Sequence, residues 1–470
     1  MLDKNIFREY DIRGIFDKQM NYQTGYLIGQ SYGSKALELS AKEVVIGYDN
    51  RLTSEKLHDE VIKGLISTGI NVIDIGLVTT PMLYFARINY NLPLGIMITA
   101  SHNPKEYNGF KFSFSKEGNA YGKQIKDFYE FTKNNIFKKG IGIVENKNIK
   151  EDYINNILNS LNFGNKKIKA VFDCGNGTGS IILKDIISKI DIIEPYYLYC
   201  DSDGTFPNHH PDPSVSANMI DLQKKVIELK YDIGVAFDGD ADRVGVVDEK
   251  GNTIKTDILM AIIYNYLNEN LVNRNALYDV KCSQTLIDEL NKLNINQTMY
   301  RTGASYTNMM MQTGKFDFGG EYSGHLFFKD KYQGFDDGIY AGLRIIEILS
   351  NNYVLSDLYK DFNKYYSTEE LFINVEENEK TNKINFIKNY ALNKNYKIND
   401  IDGVRIEFAD GWALIRPSNT TPRLSLRFEA NTKERLLEIQ NEFLNELEVK
   451  KWKNLLMNLK YLYHVVMCLI

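Results

Sequence analysis

The sequence predicts an α/β protein: three similar α/β layers closed by a smaller α+β domain. Three observations lead there. The chain has 470 residues, too many for one hydrophobic core, so roughly three or four domains are expected. Short apolar strands alternate with helical stretches of about 10–15 residues, the pattern of βαβ units. After about residue 369 the texture changes to alternating, hairpin-like strands.

In the first region an apolar run at 44–48 precedes a helical stretch near 53–68 and a strand at 71–76. Another strand, 94–99, leads into the polar loop 100–104. The second region opens with the mostly apolar run 168–173, which ends at the glycine-rich turn CGNGTGS, and closes with 233–237 running into DGDADR. The third contains 276–281, the helical SQTLIDELNKLN and the alternating GGEYSGHLFF. Loops leaving strand ends are where α/β proteins place ligands. In the fourth region VRIEFADGWALIRP alternates on both sides of Asp410-Gly411, a hairpin signal. A strand at 424–430 and a long helix rich in Glu, Leu and Asn complete it.

Composition excludes several classes. Hydrophobic residues make up 43% and charged residues 25%, ordinary values for a globular protein, and the net charge of -5 lacks the basic bias of a nucleic-acid binder. Cys174, Cys200, Cys282 and Cys468 are widely spaced with no CxxC pair. That gives neither a disulfide framework nor zinc-ligand spacing and fits a reducing, cytoplasmic compartment. The N-terminus has no apolar signal-peptide core. Residues 455–470, LLMNLKYLYHVVMCLI, are apolar for a chain end but contain Asn458, Lys460 and His464. A spanning helix needs about 20 apolar residues. The expectation is an extended last helix packed on the protein, with no membrane span; a membrane or partner contact is the alternative.

The sharpest chemical signal is Asp238-Gly-Asp240-Ala-Asp242-Arg243. On a regular strand these carboxylates would be too spread out to share an ion, but in a tight turn Gly239 and Ala241 leave room for all three to converge on one cation. Mg²⁺ prefers such hard oxygen ligands, and without a cation the carboxylates would repel. A calcium loop of the EF-hand kind fails, because its sixth position holds Arg243 rather than Gly and its flanks read as strands. A solvated acidic turn is the plainer alternative, disfavoured by the apolar flanks. In Thr99-Ala-Ser101-His102-Asn103-Pro104, small polar residues follow an apolar strand and suit a fixed, exposed turn. Ser101 there is either a nucleophile or a capping serine. His102 beside it is no evidence of a triad, and no GxSxG elbow is present.

Taken together, TASHNP and DGDADR resemble the phosphoserine and metal loops of the α-D-phosphohexomutase family, in its bacterial phosphomannomutase/phosphoglucomutase branch. The resemblance runs from Phe7 to about Glu448 through several ordered motifs. It implies three α/β/α mixed-sheet domains plus a smaller α+β C-terminal domain around a central active-site cleft. The expected borders are 1–145 (phosphoserine loop), 146–252 (metal), 253–367 (sugar) and 368–450 (phosphate), with 451–470 an apolar tail.

The resemblance also implies a chemistry. Phospho-Ser101 would supply a ligand to Mg²⁺ beside Asp238, Asp240 and Asp242. It would pass its phosphate to a hexose phosphate, giving a hexose 1,6-bisphosphate that is both intermediate and activator. FREYDIRG implies Tyr10 and Arg13 at the site, NGFKFS implies Lys111 in proton transfer, and Arg243 and His102 join them. GGEYSGH implies Glu321 and Ser323 on sugar hydroxyls, with His325 as an acid/base. DVKCS implies Lys281. RPSNTTP implies Arg416, Ser418, Asn419 and Thr420 as a phosphate grip, and His209 and His210 fall in a family loop of structural role.

Three departures stand out: Ala304 where many relatives have His, Thr421 where they carry Glu, and the apolar tail. Phosphoglucosamine mutase is the nearest rival, but its loops typically read GGEQSGH and RPSGTEP. Tyr322 and Asn419 point instead to mannose and glucose phosphates. A metal-dependent phosphatase would explain Ser101 and the aspartates but not separate sugar and phosphate loops. An inactive regulatory relative would be marked by loss of Ser101 or an aspartate, and all are present. The expected partner is a phosphosugar, with no nucleic acid, for a monomer or weak homo-oligomer.

Overall fold

The computed structural model describes residues 2–134, 136–418 and 422–447. The chain divides between Phe362 and Asn363 into two compact units.

The first unit holds three sheets. In the first, the strands run in the order Ile12–Ile15, Tyr107–Ser113, Gly95–Ile98, Glu43–Tyr48, Asn71–Leu77, Val144–Asn146. The last four are parallel, and Tyr107–Ser113 is antiparallel to both its neighbours. In the second, Ile233–Phe237, Ile168–Asp173 and Ile193–Leu198 are parallel, and Val244–Asp248 runs antiparallel against Ile233–Phe237. In the third, Asn296–Tyr300, Asn275–Asp279 and Phe318–Gly320 are parallel, and Leu326–Phe328 closes antiparallel. The three layers therefore repeat one device, in which a parallel strand turns straight back into an antiparallel partner. The reversals carry Ser101, then Asp238 to Arg243, then Glu321 to His325. Strands such as Ile233–Phe237 are buried along their whole length, which is why they read as unbroken apolar runs.

One apolar core runs through all three layers. Val45 and Ile73 from the first meet Phe172 and Phe237 from the second and Tyr278, Phe318 and Ile345 from the third. The helix Gly338–Ser350 is buried at every residue, and Asp337 caps it by accepting from Tyr340 N at 2.9 Å. This shared core holds the three reversal loops in a fixed mutual position.

The second unit has one antiparallel sheet. Val404–Phe408 and Gly411–Pro417 form the expected hairpin, with its turn at Ala409-Asp410, one residue before Asp410-Gly411, and Arg423–Ala430 pairs beside them. Helices Lys380–Asn393 and Lys433–Glu446 cover a separate core that includes Ile387, Val404, Leu426 and Phe443.

Strand pairing reaches across three of the expected borders. Val144–Asn146 pairs with Asn71–Leu77, so the 145/146 border would cut the first sheet. Thr253–Ile254 pairs with Val244–Asp248 and belongs to the second layer rather than the third. Tyr366–Ser367 pairs with Arg423–Ala430 and belongs to the last sheet. The alternating GGEYSGHLFF is not one strand: it breaks into Phe318–Gly320 and Leu326–Phe328 around the reversal. The tail 451–470 lies outside the described residues. No described helix is long and apolar enough to cross a membrane.

Candidate active site

Ser101 sits just past the strand Gly95–Ile98 with φ at 49°, in the left-handed region that costs a non-glycine residue energy. Its N–H donates to Thr99 Oγ1 at 2.8 Å. Arg51 fixes the rest of the loop, donating from Nη2 to the carbonyls of Ser101 and Asn103 (both 2.6 Å) and from Nη1 to those of Pro104 (2.8 Å) and Tyr107 (3.1 Å). Asp49 orients Arg51 by accepting from its Nε at 3.2 Å. Arg13, held by Asp11, reaches the loop at Asn103 Oδ1, 2.7 Å away.

The serine hydroxyl donates to Asp238 Oδ2 at 2.9 Å and lies 3.1 Å from His102 Nδ1. Asp238, Asp240 and Asp242 are all buried, and one oxygen of each lies within 4.8 Å of the others. The turn that gathers them uses a left-handed Ala241 (φ 62°). It also needs Gly239, whose missing side chain leaves room for the Ser101 carbonyl: a Cβ there would fall 2.5 Å from that oxygen.

Lys111 Nζ donates to Asp240 Oδ2 at 2.7 Å and Asp242 Oδ2 at 2.6 Å. Thr80 adds a bond to Asp240 Oδ2 at 2.6 Å and Thr99 another at 3.2 Å. Asp240 Oδ1 and Asp242 Oδ1 are left buried without a hydrogen-bond partner among the described residues. Burial and then the other two carboxylates push Asp238 well above the usual carboxylate range. Burial would also raise Asp240, but Lys111 outweighs it and holds that carboxyl low. Burial likewise opposes the charge on Lys111, yet Asp240 and Asp242 keep it firmly protonated. Burial, then Arg243 and Arg13, hold the His102 imidazole far below its usual range, so it is neutral.

Arg243 links this cluster to the third layer. Its Nε donates to His325 Nε2 at 2.9 Å and lies 3.8 Å from Asp238 Oδ2. On its other side, His325 Nδ1 is 2.8 Å from Asp336 Oδ2 and 3.6 Å from Asp242 Oδ1. Glu321 is buried, which raises its carboxyl, and its Oε1 accepts from Thr307 Oγ1 (2.6 Å) and Gly303 N (3.1 Å). Ser323 Oγ donates to Glu321 Oε2 at 3.3 Å. Tyr10 packs edge-on to Tyr306 with ring centres 6.2 Å apart, and Gly303 (φ 141°) leaves room for its ring. Lys281 Nζ lies 5.8 Å from the centre of the Tyr322 ring.

The second unit carries Arg416 and Ser418. Arg416 Nε donates to Asp402 Oδ2 at 2.8 Å, and Ser418 N donates to Arg423 O at 2.9 Å across the hairpin. Buried Lys380 donates to the Ser418 carbonyl at 2.8 Å. Asn419, Thr420 and Thr421 lie outside the described residues.

The sequence matches the four phosphoglucomutase/phosphomannomutase domain descriptions in order: α/β/α domain I over residues 4–139, II over 151–251, III over 255–366, and the C-terminal domain over 372–446. The chain belongs to the phosphoglucomutase/phosphomannomutase family. A phosphomannomutase/phosphoglucomutase of Pseudomonas syringae pv. tomato is 40% identical over 450 residues, covering 95% of this chain and 96% of that one. A phosphoglucomutase of Neisseria meningitidis serogroup A is 38% identical, covering 95% and 97%. The crystal structure of a phosphoglucomutase/phosphomannomutase family protein from Burkholderia thailandensis superposes with a TM-score of 0.87 at 34% identity, covering 96% and 98%.

In this family member the structure adds residues that sequence reading missed. Arg51 and Asp49 hold the serine loop, Thr80 holds Asp240, Thr307 holds Glu321, and Asp336 faces His325. The Thr-Thr-Pro at 79–81 was readable as a helix start, and the structure uses it so. Nothing in sequence marks Arg51, whose partners are chiefly backbone carbonyls. His209 Nε2 lies 3.1 Å from Asp173 Oδ2 and its Nδ1 2.9 Å from the His210 carbonyl, so it braces its own loop. Ala304 opens the helix Ala304–Gln312 directly after Gly303.

Proposed function

We propose that this chain interconverts hexose 1-phosphates and 6-phosphates, of mannose, glucose or both, by passing a phosphate through Ser101 and a hexose 1,6-bisphosphate. The observation that carries the reading is the contact of Ser101 Oγ with Asp238 Oδ2 at 2.9 Å, which sets a buried hydroxyl directly on a three-carboxylate cluster.

The cluster suits Mg²⁺. Three hard oxygen donors converge, and two of their oxygens are buried with nothing to bond among the described residues. Asp238, Asp240 and Asp242 would hold the ion together with an oxygen of phospho-Ser101. When bound it supplies charge neutralisation on the transferring phosphate.

The rest falls to the protein's own groups. Phosphoryl transfer depends chiefly on positioning and electrostatics. Arg51 and the Thr99 hydroxyl fix the Ser101 backbone, so the hydroxyl oxygen points one way. Lys111 stays a fixed cation while it bridges Asp240 and Asp242, and Arg13 and Arg243 add positive charge beside the serine. His325 Nε2 accepts from Arg243 Nε, and Asp336 Oδ2 lies 2.8 Å from Nδ1 on the other side of the ring. A sugar hydroxyl that displaces Arg243 would meet a base at Nε2. Glu321 and Ser323 offer a hydroxyl-binding pair, Lys281 lies in the same layer, Tyr10 packs onto that layer at Tyr306, and Arg416 and Ser418 with Asn419 and Thr420 would grip the phosphate that does not react.

Tyr322 beside Lys281 favours mannose and glucose phosphates over a glucosamine phosphate, for which the family loop carries Gln. A cytoplasmic location fits buried cysteines that form no disulfide among the described residues. The test is phosphorus NMR with Mg²⁺ and a trace of glucose 1,6-bisphosphate, following mannose, glucose and glucosamine 1-phosphates. Conversion of the first two to 6-phosphates, abolished in Ser101→Ala, is expected. Preference for the glucosamine compound would move the substrate to the sister branch, and release of free phosphate would overturn the mutase reading.

A further inference from the structure

Away from the transferring groups, Cys174 and Cys200 bring their sulfur atoms to 2.9 Å. Both are free and buried, at 0% and 5% exposure. Cys174 directly follows the strand Ile168–Asp173, and Cys200 comes two residues after its parallel neighbour Ile193–Leu198. The two strand ends are fixed to one another: Cys174 N donates to the Leu198 carbonyl at 3.2 Å and Asn176 N to the Tyr199 carbonyl at 2.9 Å. Cys200 Sγ lies 3.2 Å from the Leu198 carbonyl, which holds its side chain turned toward Cys174. A disulfide has its sulfurs about 2.05 Å apart. Closing this pair asks for roughly 1 Å of motion, on neighbouring strands whose spacing already suits the bond.

We propose that Cys174 and Cys200 are a modification site that takes up two oxidising equivalents from a small hydroperoxide and becomes a reversible disulfide. Cys200 is the entry point, being the less enclosed of the two and followed by the exposed Asp201 and Ser202. Its thiolate attacks the peroxide O–O bond, giving a sulfenic acid and releasing the other oxygen as water or an alcohol. The Cys174 thiol then attacks that sulfur, the S–O bond breaks, and the oxygen leaves with a proton as water. Two thiols are oxidised and one peroxide is reduced. A dithiol reductant returns both thiols by exchange and leaves as its own disulfide. Cys282, the third described cysteine, faces Asp279 Oδ1 at 3.3 Å.

The pair also sits beside the metal loop. The Cys174 carbonyl accepts from Gly177 N at 2.7 Å, and the next residue, Thr178, donates to the Gly239 carbonyl from its N–H at 2.9 Å and its hydroxyl at 3.1 Å. Gly239 lies between the metal-loop carboxylates Asp238 and Asp240.

The experiment treats the full chain with stoichiometric hydrogen peroxide, blocks remaining thiols with an alkylating agent under denaturing conditions, and maps the peptides by mass spectrometry. A linked peptide pair containing Cys174 and Cys200 is expected, two hydrogens lighter than the separate peptides. It should disappear after dithiol treatment and fail to form in Cys200→Ser. Recovery of both cysteines alkylated, or of Cys200 as a sulfinic acid or joined to a different thiol, would overturn the proposal.

Discussion

The Arg51 guanidinium donates to the carbonyl of Ser101 itself, at 2.6 Å, so the backbone of the expected nucleophile is held from behind by a buried ion pair with Asp49. Three further carbonyls of the same loop bond the same side chain. A left-handed serine persists only where its surroundings over-determine it, and Arg51 is what does so here.

Arg51→Lys keeps the charge but loses the planar fork, so most of these bonds cannot be remade. Turnover should fall by roughly 10²-fold with KM changed little, because misplacing a reacting group costs rate rather than binding. Steady-state kinetics beside a thermal melt checks it. A variant that melts as the parent does and turns over normally would show that the loop holds its shape without Arg51.

Lys111 bridges Asp240 and Asp242. Lys111→Met leaves three buried carboxylates with less compensation. Removing one partner of a buried pair costs about 3–5 kcal/mol. The metal-free variant should melt well below the parent, and added Mg²⁺ should raise its melting temperature more than the parent's, while turnover drops sharply. Titration of both proteins with Mg²⁺ in a thermal-shift assay decides; equal shifts would mean that Lys111 does not compensate the metal loop.

Much of this was legible in the letters, and the exceptions share a cause. DGDADR could be read because its chemistry lies in side chains at fixed short spacing, and the structure gathers those carboxylates in a turn as that spacing allowed. The hairpin near Asp410-Gly411 could be read from the alternation on both sides, although its two-residue turn is Ala409-Asp410 and Gly411 already pairs with Phe408. Arg51 could not, since its partners are mostly carbonyl oxygens that every residue owns. Asp336 could not either: it meets His325 only because Phe327 and Asp336 are bridged beyond the reversal. Val144–Asn146 and Thr253–Ile254 likewise take their sheet membership from pairing that no local pattern announces.

Glu321 is held by Thr307 and Gly303 through Oε1, leaving Oε2 with one long bond to Ser323. Glu321→Gln preserves shape but removes a charged acceptor. A hydrogen bond to a charged group contributes about 1.5–3 kcal/mol. The expected loss in kcat/KM is therefore roughly 10–100-fold for the hexose phosphates. Hydrolysis of the phosphoserine by water, measured with no sugar present, should be untouched. A parallel loss in that background rate would place Glu321 in the phosphate chemistry instead of the sugar pocket.

Asp337 gives a pH dependence with a definite sign. It is buried beneath Tyr153 and Tyr332, whose hydroxyls donate to its Oδ2 at 2.7 and 2.9 Å, and burial pushes its carboxyl up to about 6. A folded-state value above the usual 3.8 means that the folded protein binds this proton more tightly than the unfolded chain does. The stability from this group is fully present below the ordinary carboxylate value and is lost as pH rises through about 6. At about 1.4 kcal/mol per unit the change amounts to about 3 kcal/mol. Asp337→Asn has no proton to lose there, and its amide oxygen can still accept from Tyr340 N at the start of the helix Gly338–Ser350. The parent should lose stability relative to this variant between pH 4 and pH 6.5 and run parallel to it above that range. Denaturant midpoints for both proteins across the range measure the gap. A gap that stays constant would mean that Asp337 is ionised throughout, and that the two tyrosine hydroxyls compensate its charge fully.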